Sequence, residues 1–282
     1  MNSKAITLFI LTIINNLLNA QAPHWSWIET GQVDNYAQPY TVTADLDANI
    51  FISGLYMGDL TLGLTTLTSE FDFDPFFAKF DSAGNVIWAK DASCTGYSAC
   101  NSTITDEAGN VYLTVFFENT ISFDGTELTS VGEFDFALIK YNSGGDLQWA
   151  NQIGGDSLDI SHNLIIDANG DIVLTGQYVS DELTFDSYTI TKQGSSDIFI
   201  AKYDTDGNAI WAKSAGGDDW DFSYAISGDA DGNIFITGGF ISPTLPFGST
   251  DLINKGYIDM FIAKYDASGN PLWANSGGGI SY

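Results

Sequence analysis

Four kinds of short apolar run recur along this chain, always in the same order. In one unit they occupy residues 223–227, 234–240, 260–265 and 271–274. The second and third runs are apolar almost throughout, the pattern of strands covered on both faces. Polar turns of constant form separate the runs. Residues 45–49, 106–110, 167–171 and 229–233 join first runs to second, and 81–85, 142–146, 204–208 and 266–270 join third to fourth. Each turn opens on Asp or Asn, whose side chain can bond its own backbone two residues on. A late Gly then supplies the positive φ of a bulged hairpin. Ala48 breaks that rule in the first unit, so Asn49 is expected to take the left-handed position there. No stretch after residue 22 carries a 3.6-residue apolar period bounded by caps.

The spacing is fixed. Trp88, Trp149, Trp211 and Trp273 lie 61, 62 and 62 residues apart, and so do Leu62, Phe123, Phe185 and Phe247. The second set reads as apolar plugs beneath an outer loop between the second and third strands. Asp74, Asp135, Asp197 and Asp259 precede the third strand, and Lys79, Lys140, Lys202 and Lys264 fall within it. A fixed period means one supersecondary unit stacked several times. Four-stranded units of constant length with no helices between them predict an all-β fold, a β-propeller of four-stranded blades. The full blades are placed at about 31–89, 90–150, 151–212 and 213–274, within a repeat domain of residues 23–282. Trp27 lies 61 residues before Trp88, which places a lone fourth strand at 24–30 without the other three. These residues are therefore expected to be part of a larger propeller.

Residues 1–22 read as a signal peptide. Lys4 is the positive start, 5–14 is a short apolar run, and Ala20-Gln21-Ala22 is a small-x-small cleavage site. The apolar run is shorter than the roughly 20 residues a membrane-crossing helix needs. The expected location is therefore outside the cell or at its surface, with no transmembrane segment after the leader is removed.

Charge narrows the partners. Nine cations, all lysine, stand against 36 acids, a formal net charge of −27. Such a surface repels nucleic acid and anionic membranes, which are bound through basic patches. A hydrophobic content of 44%, with 14% aromatic residues, argues for a packed core in spite of the charge.

Candidate chemistry is sparse. Cys94 and Cys100, the only two cysteines, read as a local disulfide in an exported chain, against the alternative of two free thiols. His24 and His162 are the only histidines; His24 lies just past the leader and His162, which recurs in no other unit, reads as an ordinary surface or strand histidine, and the lack of a Cys or Glu cluster at ligand spacing argues against a catalytic zinc. No catalytic residue and no cofactor is assigned. Seventeen of the 36 acids belong to the repeating turns or to the four positions before the third strands, so nearly half of the acidity is repeat structure. Asp206 and Asp231 sit in Asp-x-Asp-Gly sequences resembling calcium loops, but they lack the further ligands an EF-hand needs. The four aspartates before the third strands could instead form an acidic ring. Calcium is accordingly the one metal worth weighing, against turn-capping with the neighbouring lysines neutralising the acids.

The chain resembles the bacterial SBBP-type β-propeller repeat. The resemblance is carried by Gly216-Gly217-Asp218, by the run from Asp229-Ala230-Asp231-Gly232-Asn233 through Gly238, and by Phe261-Ile262-Ala263-Lys264-Tyr265-Asp266 followed by Gly269-Asn270. Val115, where Gly54, Gly176 and Gly238 stand in the other units, and Cys94, in place of the second Gly of the Gly-Gly loop, depart from it. The resemblance implies exported or surface proteins, often with a type IX secretion sorting domain, which is not visible in these residues. It brings no catalytic residues with it. The function expected is a non-enzymatic interaction scaffold for a protein or glycan. Segments 218–222 and 119–123 would carry its specificity. The alternatives are a propeller enzyme, a lyase or glycoside-active protein working through axial carboxylates, and a calcium-stabilised structural module.

Overall fold

A computed structural model describes residues 31–69 and 72–280. The signal peptide, His24 and the strand expected at 24–30 lie outside the described residues. Among the described residues there is no helix. Four antiparallel four-stranded sheets follow one another along the chain. The first is built from Tyr36–Ala44, Ile50–Met57, Asp74–Phe80 and Val86–Asp91. The second comprises Ser98–Thr105, Val111–Phe117, Asp135–Tyr141 and Leu147–Ile153. In the third are Asp159–Ile166, Ile172–Tyr178, Asp197–Tyr203 and Ala209–Ala215. Asp221–Gly228, Ile234–Phe240, Asp259–Tyr265 and Pro271–Gly277 make the fourth. First strands of successive sheets pack on one another and lie innermost; fourth strands lie outermost. These are propeller-type blades.

Apolar cores lie between blades. Phe51 and Phe77 of the first blade join Val115 and Phe123 of the second, and Phe136 and Leu138 of the second join Phe185 and Phe199 of the third. Phe136 stacks on Phe199 with ring centres 5.2 Å apart. This burial on both faces is why the second and third runs are continuously apolar. The fourth blade shows the dependence directly. Ile198 and Ile200 of the third blade are 0% and 1% exposed, whereas Met260 and Ile262 at the same positions of the fourth are 57% and 40% exposed. The plugs Leu62, Phe123, Phe185 and Phe247 each end a strand of a small outer hairpin and are buried against the blade below.

The turns are held by their opening residue. The Asp204 carboxylate accepts hydrogen bonds from the backbone N–H of Asp206 and Asn208, and from the Asn208 side chain at 2.9 Å. Burial by itself would raise the pKa of Asp204, but these bonds outweigh it and hold the carboxyl below its usual value. Gly207 has φ of +87°, and a Cβ there would lie 3.0 Å from the Trp149 ring of the preceding blade. Trp149 Nε1 donates to the Thr205 carbonyl at 3.3 Å, and Trp211 Nε1 does the same to Ala267. The recurring tryptophan therefore fastens the second blade to the third and the third to the fourth through the turn of the next blade.

Three expectations are corrected at this level. Ala48, not Asn49, takes the left-handed conformation, with φ of +62°. Asn49 is instead held by the Asp45 carboxylate, through its N–H and side-chain amide, both at 2.8 Å. Replacing Ala48 by Gly should raise stability by about 1 kcal/mol, because a left-handed L-residue costs that much; urea denaturation would show it, and an unchanged or lower midpoint would refute it.

Cys94 and Cys100 are both free and buried. Cys94 lies in a short strand paired with Ile121 of the outer hairpin, and Cys100 lies within the blade opposite Val115. Their sulfurs turn to different partners: Cys94 Sγ to the Glu118 carbonyl at 3.3 Å, Cys100 Sγ to the Ser102 carbonyl at 3.8 Å. Burial pushes the Cys100 thiol up to about 11.

The strand lysines do not neutralise the aspartates before the third strands. The two sit at opposite ends of a seven-residue strand. Lys79, Lys202 and Lys264 instead pair with Asp45, Asp167 and Asp229 of their own blade's first turn, at 3.4, 2.6 and 3.5 Å.

Candidate functional site

Each innermost strand contains a β-bulge at the same place. Pairing skips Tyr40, Asn101, His162 and Tyr224 in the four blades. A bulge re-aims a side chain and bends its strand. It also pushes a carbonyl toward the second strand. A Cβ on Gly54, Gly176 or Gly238 would lie 2.0, 2.0 or 1.9 Å from the carbonyl oxygen of Gln38, Ile160 or Phe222. That is why glycine recurs there. His162 is deeply set, with an edge-on contact to the Tyr224 ring at 5.0 Å. Burial lowers its pKa to about 4, with Gln177 acting weakly in the opposite direction. A neutral imidazole of this kind is a packing residue.

The loops at one end of the blades are tied by buried aspartates. Asp135 Oδ2 accepts from the Val131 N–H and from the Gln152 amide, and Asp197 and Asp259 accept from the N–H of Gln193 and Lys255. Asp74 accepts from the Cys94 N–H at 3.0 Å. The supposed acidic ring thus consists of loop caps. Two more aspartates, Asp159 and Asp221, open the first strands of the third and fourth blades. Asp159 accepts from Gly155, Val179 and Ser180 N–H groups and from the Ser180 hydroxyl. Asp221 repeats this with Gly217 and Ser242. The Gly-Gly loop is required here: a Cβ on Gly154 or Gly216 would lie 2.0 Å from the carboxyl carbon of Asp135 or Asp197. Burial raises the pKa of Asp135, Asp159, Asp197 and Asp221, and takes Asp74 to about 7. Among the described residues no three His, Cys, Asp or Glu side chains are grouped to hold a metal ion. Asp206 and Asp231 lie in exposed turns.

Directly above these caps the blades differ from one another. The residue before each capping aspartate is Phe73, Phe134, Ser196 or Ile258, and the residue just ahead of or opening each first strand is Tyr36, Tyr97, Leu158 or Trp220. Backbone bridges join Phe134 to Leu158 and Ser196 to Trp220 across the blade junctions. In the first two blades the result is a continuous aromatic belt. Tyr36 meets Phe73 edge-on at 5.4 Å, Phe73 meets Tyr97 at 5.4 Å, and Tyr97 reaches Phe116 and Phe134 at 5.7 and 6.4 Å. Beside the fourth blade an open depression is lined by Phe222, Tyr224, Gly239, Ile258 and Met260.

Of the two variable segments expected to carry specificity, 218–222 reaches this rim, with Trp220 42% exposed. Segment 119–123 does not: Ile121 and Phe123 are buried in the outer hairpin. Sequence reading missed the belt because its members lie some 20–40 positions apart, and only the shared offset within each repeat links them.

The repeat architecture, the inter-blade cores and the bulged inner strands define a β-propeller-type repeat protein. No protein-family model matches the chain. It is similar to an uncharacterized WD repeat-containing protein of Acanthamoeba polyphaga mimivirus, at 26% identity over 83% of this chain and 22% of that protein. It is also similar to the Regulatory protein FlaEY of Caulobacter vibrioides, at 26% identity over 61% of this chain and 18% of that protein. The matched stretch thus spans about a fifth of either relative's length. Among the described residues no helix is long and apolar enough to cross a membrane.

Proposed function

We propose that this chain is a non-enzymatic interaction scaffold, exported to the cell surface, that binds a protein partner through the rim holding the aromatic belt. One observation carries the reading: side chains depart from the repeat where they converge on this end, while the opposite end keeps its Asp-Gly-Asn turns. Loops set on a rigid framework are where binding residues concentrate. Half-buried aromatic rings bring large contact area at small entropic cost. Likeness to a WD repeat-containing protein supports a scaffold. The leader-like residues 1–22 and the SBBP-type repeat pattern support export and a bacterial surface.

The test compares capture of surface proteins by the mature chain, by rim variants Phe134→Leu and Trp220→Ala, and by turn-face variants Asp206→Asn and Asp231→Asn. Loss of a captured protein with the rim variants alone supports the reading. Loss with the turn-face variants alone overturns it, as does capture that neither pair alters.

A further inference from the structure

We propose that the aromatic belt between the first two blades seats the guanidinium or ammonium groups of a cationic polypeptide segment, a Lys- or Arg-rich loop or tail of the partner. The inference rests on the reading that this rim is the interaction surface, and adds the chemistry of what it binds.

The belt joins two features that recognise cations together. The first is its rings. Tyr36 is 40% exposed, and Phe73, Tyr97, Phe116 and Phe134 are partly exposed. Their contacts, from 5.4 to 6.4 Å, are edge-on or tilted. An edge-on contact covers one face of only one of its two rings, and the partial exposure of the belt rings leaves part of their surface, with its negative quadrupole, open to solvent. A cation within about 6 Å of such a face is attracted.

The second feature is charge. Asp72 and Glu133 directly precede Phe73 and Phe134, and both are exposed, as is Asp156 in the adjoining loop. Burial raises the Tyr97 hydroxyl to about 12, with the neighbouring Tyr40 and Tyr36 and the charge of Asp72 adding to it. The whole chain carries −27, a field that steers positive partners in and keeps anionic ones away.

Four of the chain's own lysines lie over other rings. Lys79, Lys90, Lys140 and Lys264 sit 5.0–5.5 Å from the centres of Phe51, Tyr141, Tyr112 and Phe235, none of which belongs to the belt. A neutral glycan could stack on the same rings and bond the acids through its hydroxyls, but it would gain no charge–charge attraction from them or from the field of the chain.

The experiment titrates the mature chain with a short Arg-Gly repeat peptide and with the same peptide carrying citrulline in place of arginine. Citrulline keeps the shape and removes the charge. The arginine peptide is expected to bind, and the citrulline peptide to bind about tenfold more weakly or worse. Phe73→Leu combined with Tyr97→Leu, which keeps apolar bulk and removes the ring faces, should weaken the arginine peptide by about tenfold. Asp206→Asn with Asp231→Asn, at the opposite end, should change little.

Equal binding of the two peptides overturns the proposal. So does a leucine variant that binds as the wild type does, since attraction would then come from overall charge. If the leucine variant does not fold, Asp72→Asn with Glu133→Gln decides, because it should weaken the peptide more than the turn-face pair does. If the peptide fails to bind while rim variants still abolish partner capture, the cationic inference falls and the scaffold reading stands. If rim variants alter neither, both fall.

Discussion

Replacing Gly176 by alanine is expected to cost on the order of 3–5 kcal/mol, among the largest effects a single methyl group can have on this chain. The added Cβ would lie 2.0 Å from the Ile160 carbonyl oxygen and 2.9 Å from the Phe199 ring. Both are held by packing, although the second blade seats Val115 at the same place beside its own bulge. The carbonyl belongs to the backbone beside the His162 bulge, and Phe199 is fully buried and stacked on Phe136 of the preceding blade. The natural comparison is Gly170, which has φ of +86° but nothing within 4 Å of a Cβ. Gly170→Ala should cost only about 1 kcal/mol, the strain of a left-handed L-residue. Urea denaturation of the two variants separates steric exclusion from backbone strain. A Gly176→Ala midpoint no lower than that of Gly170→Ala would show that the bulge can relax, and steric exclusion would no longer account for the recurring glycine.

Stability should rise as the medium is made mildly acidic, falling from about pH 4 to about pH 8. Asp74, Asp135, Asp159, Asp197 and Asp221 all have pKa values raised chiefly by burial. An acid that holds its proton more tightly when folded stabilises the fold below its unfolded pKa of 3.8, and loses that contribution as pH climbs through its folded value, about 7 for Asp74. Self-repulsion of a chain carrying −27 works in the same direction as more carboxyls ionise. The turn aspartates oppose it at the acid end. Asp45, Asp81, Asp204, Asp229 and Asp266 have lowered values, so what they contribute is present above 3.8 and disappears as pH falls through their folded values. A maximum in mild acid follows.

The sharpest check is Asp74→Asn. Its amide oxygen can still accept from the Cys94 N–H, yet it carries no charge to desolvate. At about pH 8 this variant should be more stable than the wild type by about 2 kcal/mol, a value reduced for water reaching the rim, and its pH profile should be flatter. A variant less stable at every pH would mean that the charged carboxylate is better solvated than its burial implies.

Both predictions turn on residues whose type was visible in the repeat; for the aspartates capping was already a reading of the sequence, whereas for the glycines the reason was not visible. Gly54, Gly176 and Gly238 mark themselves by recurrence; the carbonyl that excludes a side chain there comes from another strand. Asp74, Asp135, Asp197 and Asp259 likewise recur, and capping is what they do. Their supposed lysine partners lie a full strand length away, because five residues of extended chain separate charges by about 16 Å. Asp159 and Asp221 escaped notice, since Ser98 stands at their place in the second blade. Cys94 and Cys100 looked like a staple from closeness in sequence alone, and the strands that hold them turn the two sulfurs apart.

What the sequence alone determined is the unit. A 61–62-residue period, continuous apolar runs and Asp-to-Gly turns follow from local requirements: a strand covered on both faces must be apolar throughout, and a bulged turn needs a left-handed residue. Those demands act within a few residues and leave their mark at each repeat. What only the tertiary structure decided is what stands beside what. Phe73 and Tyr97, the bulge residues of the inner strands, and the Trp149 ring under Gly207 meet across blade junctions. Contacts of that kind depend on how rigid sheets stack, and chain separation carries no direct trace of it. The scaffold can therefore be read from the chain, and the surface it presents only from the fold.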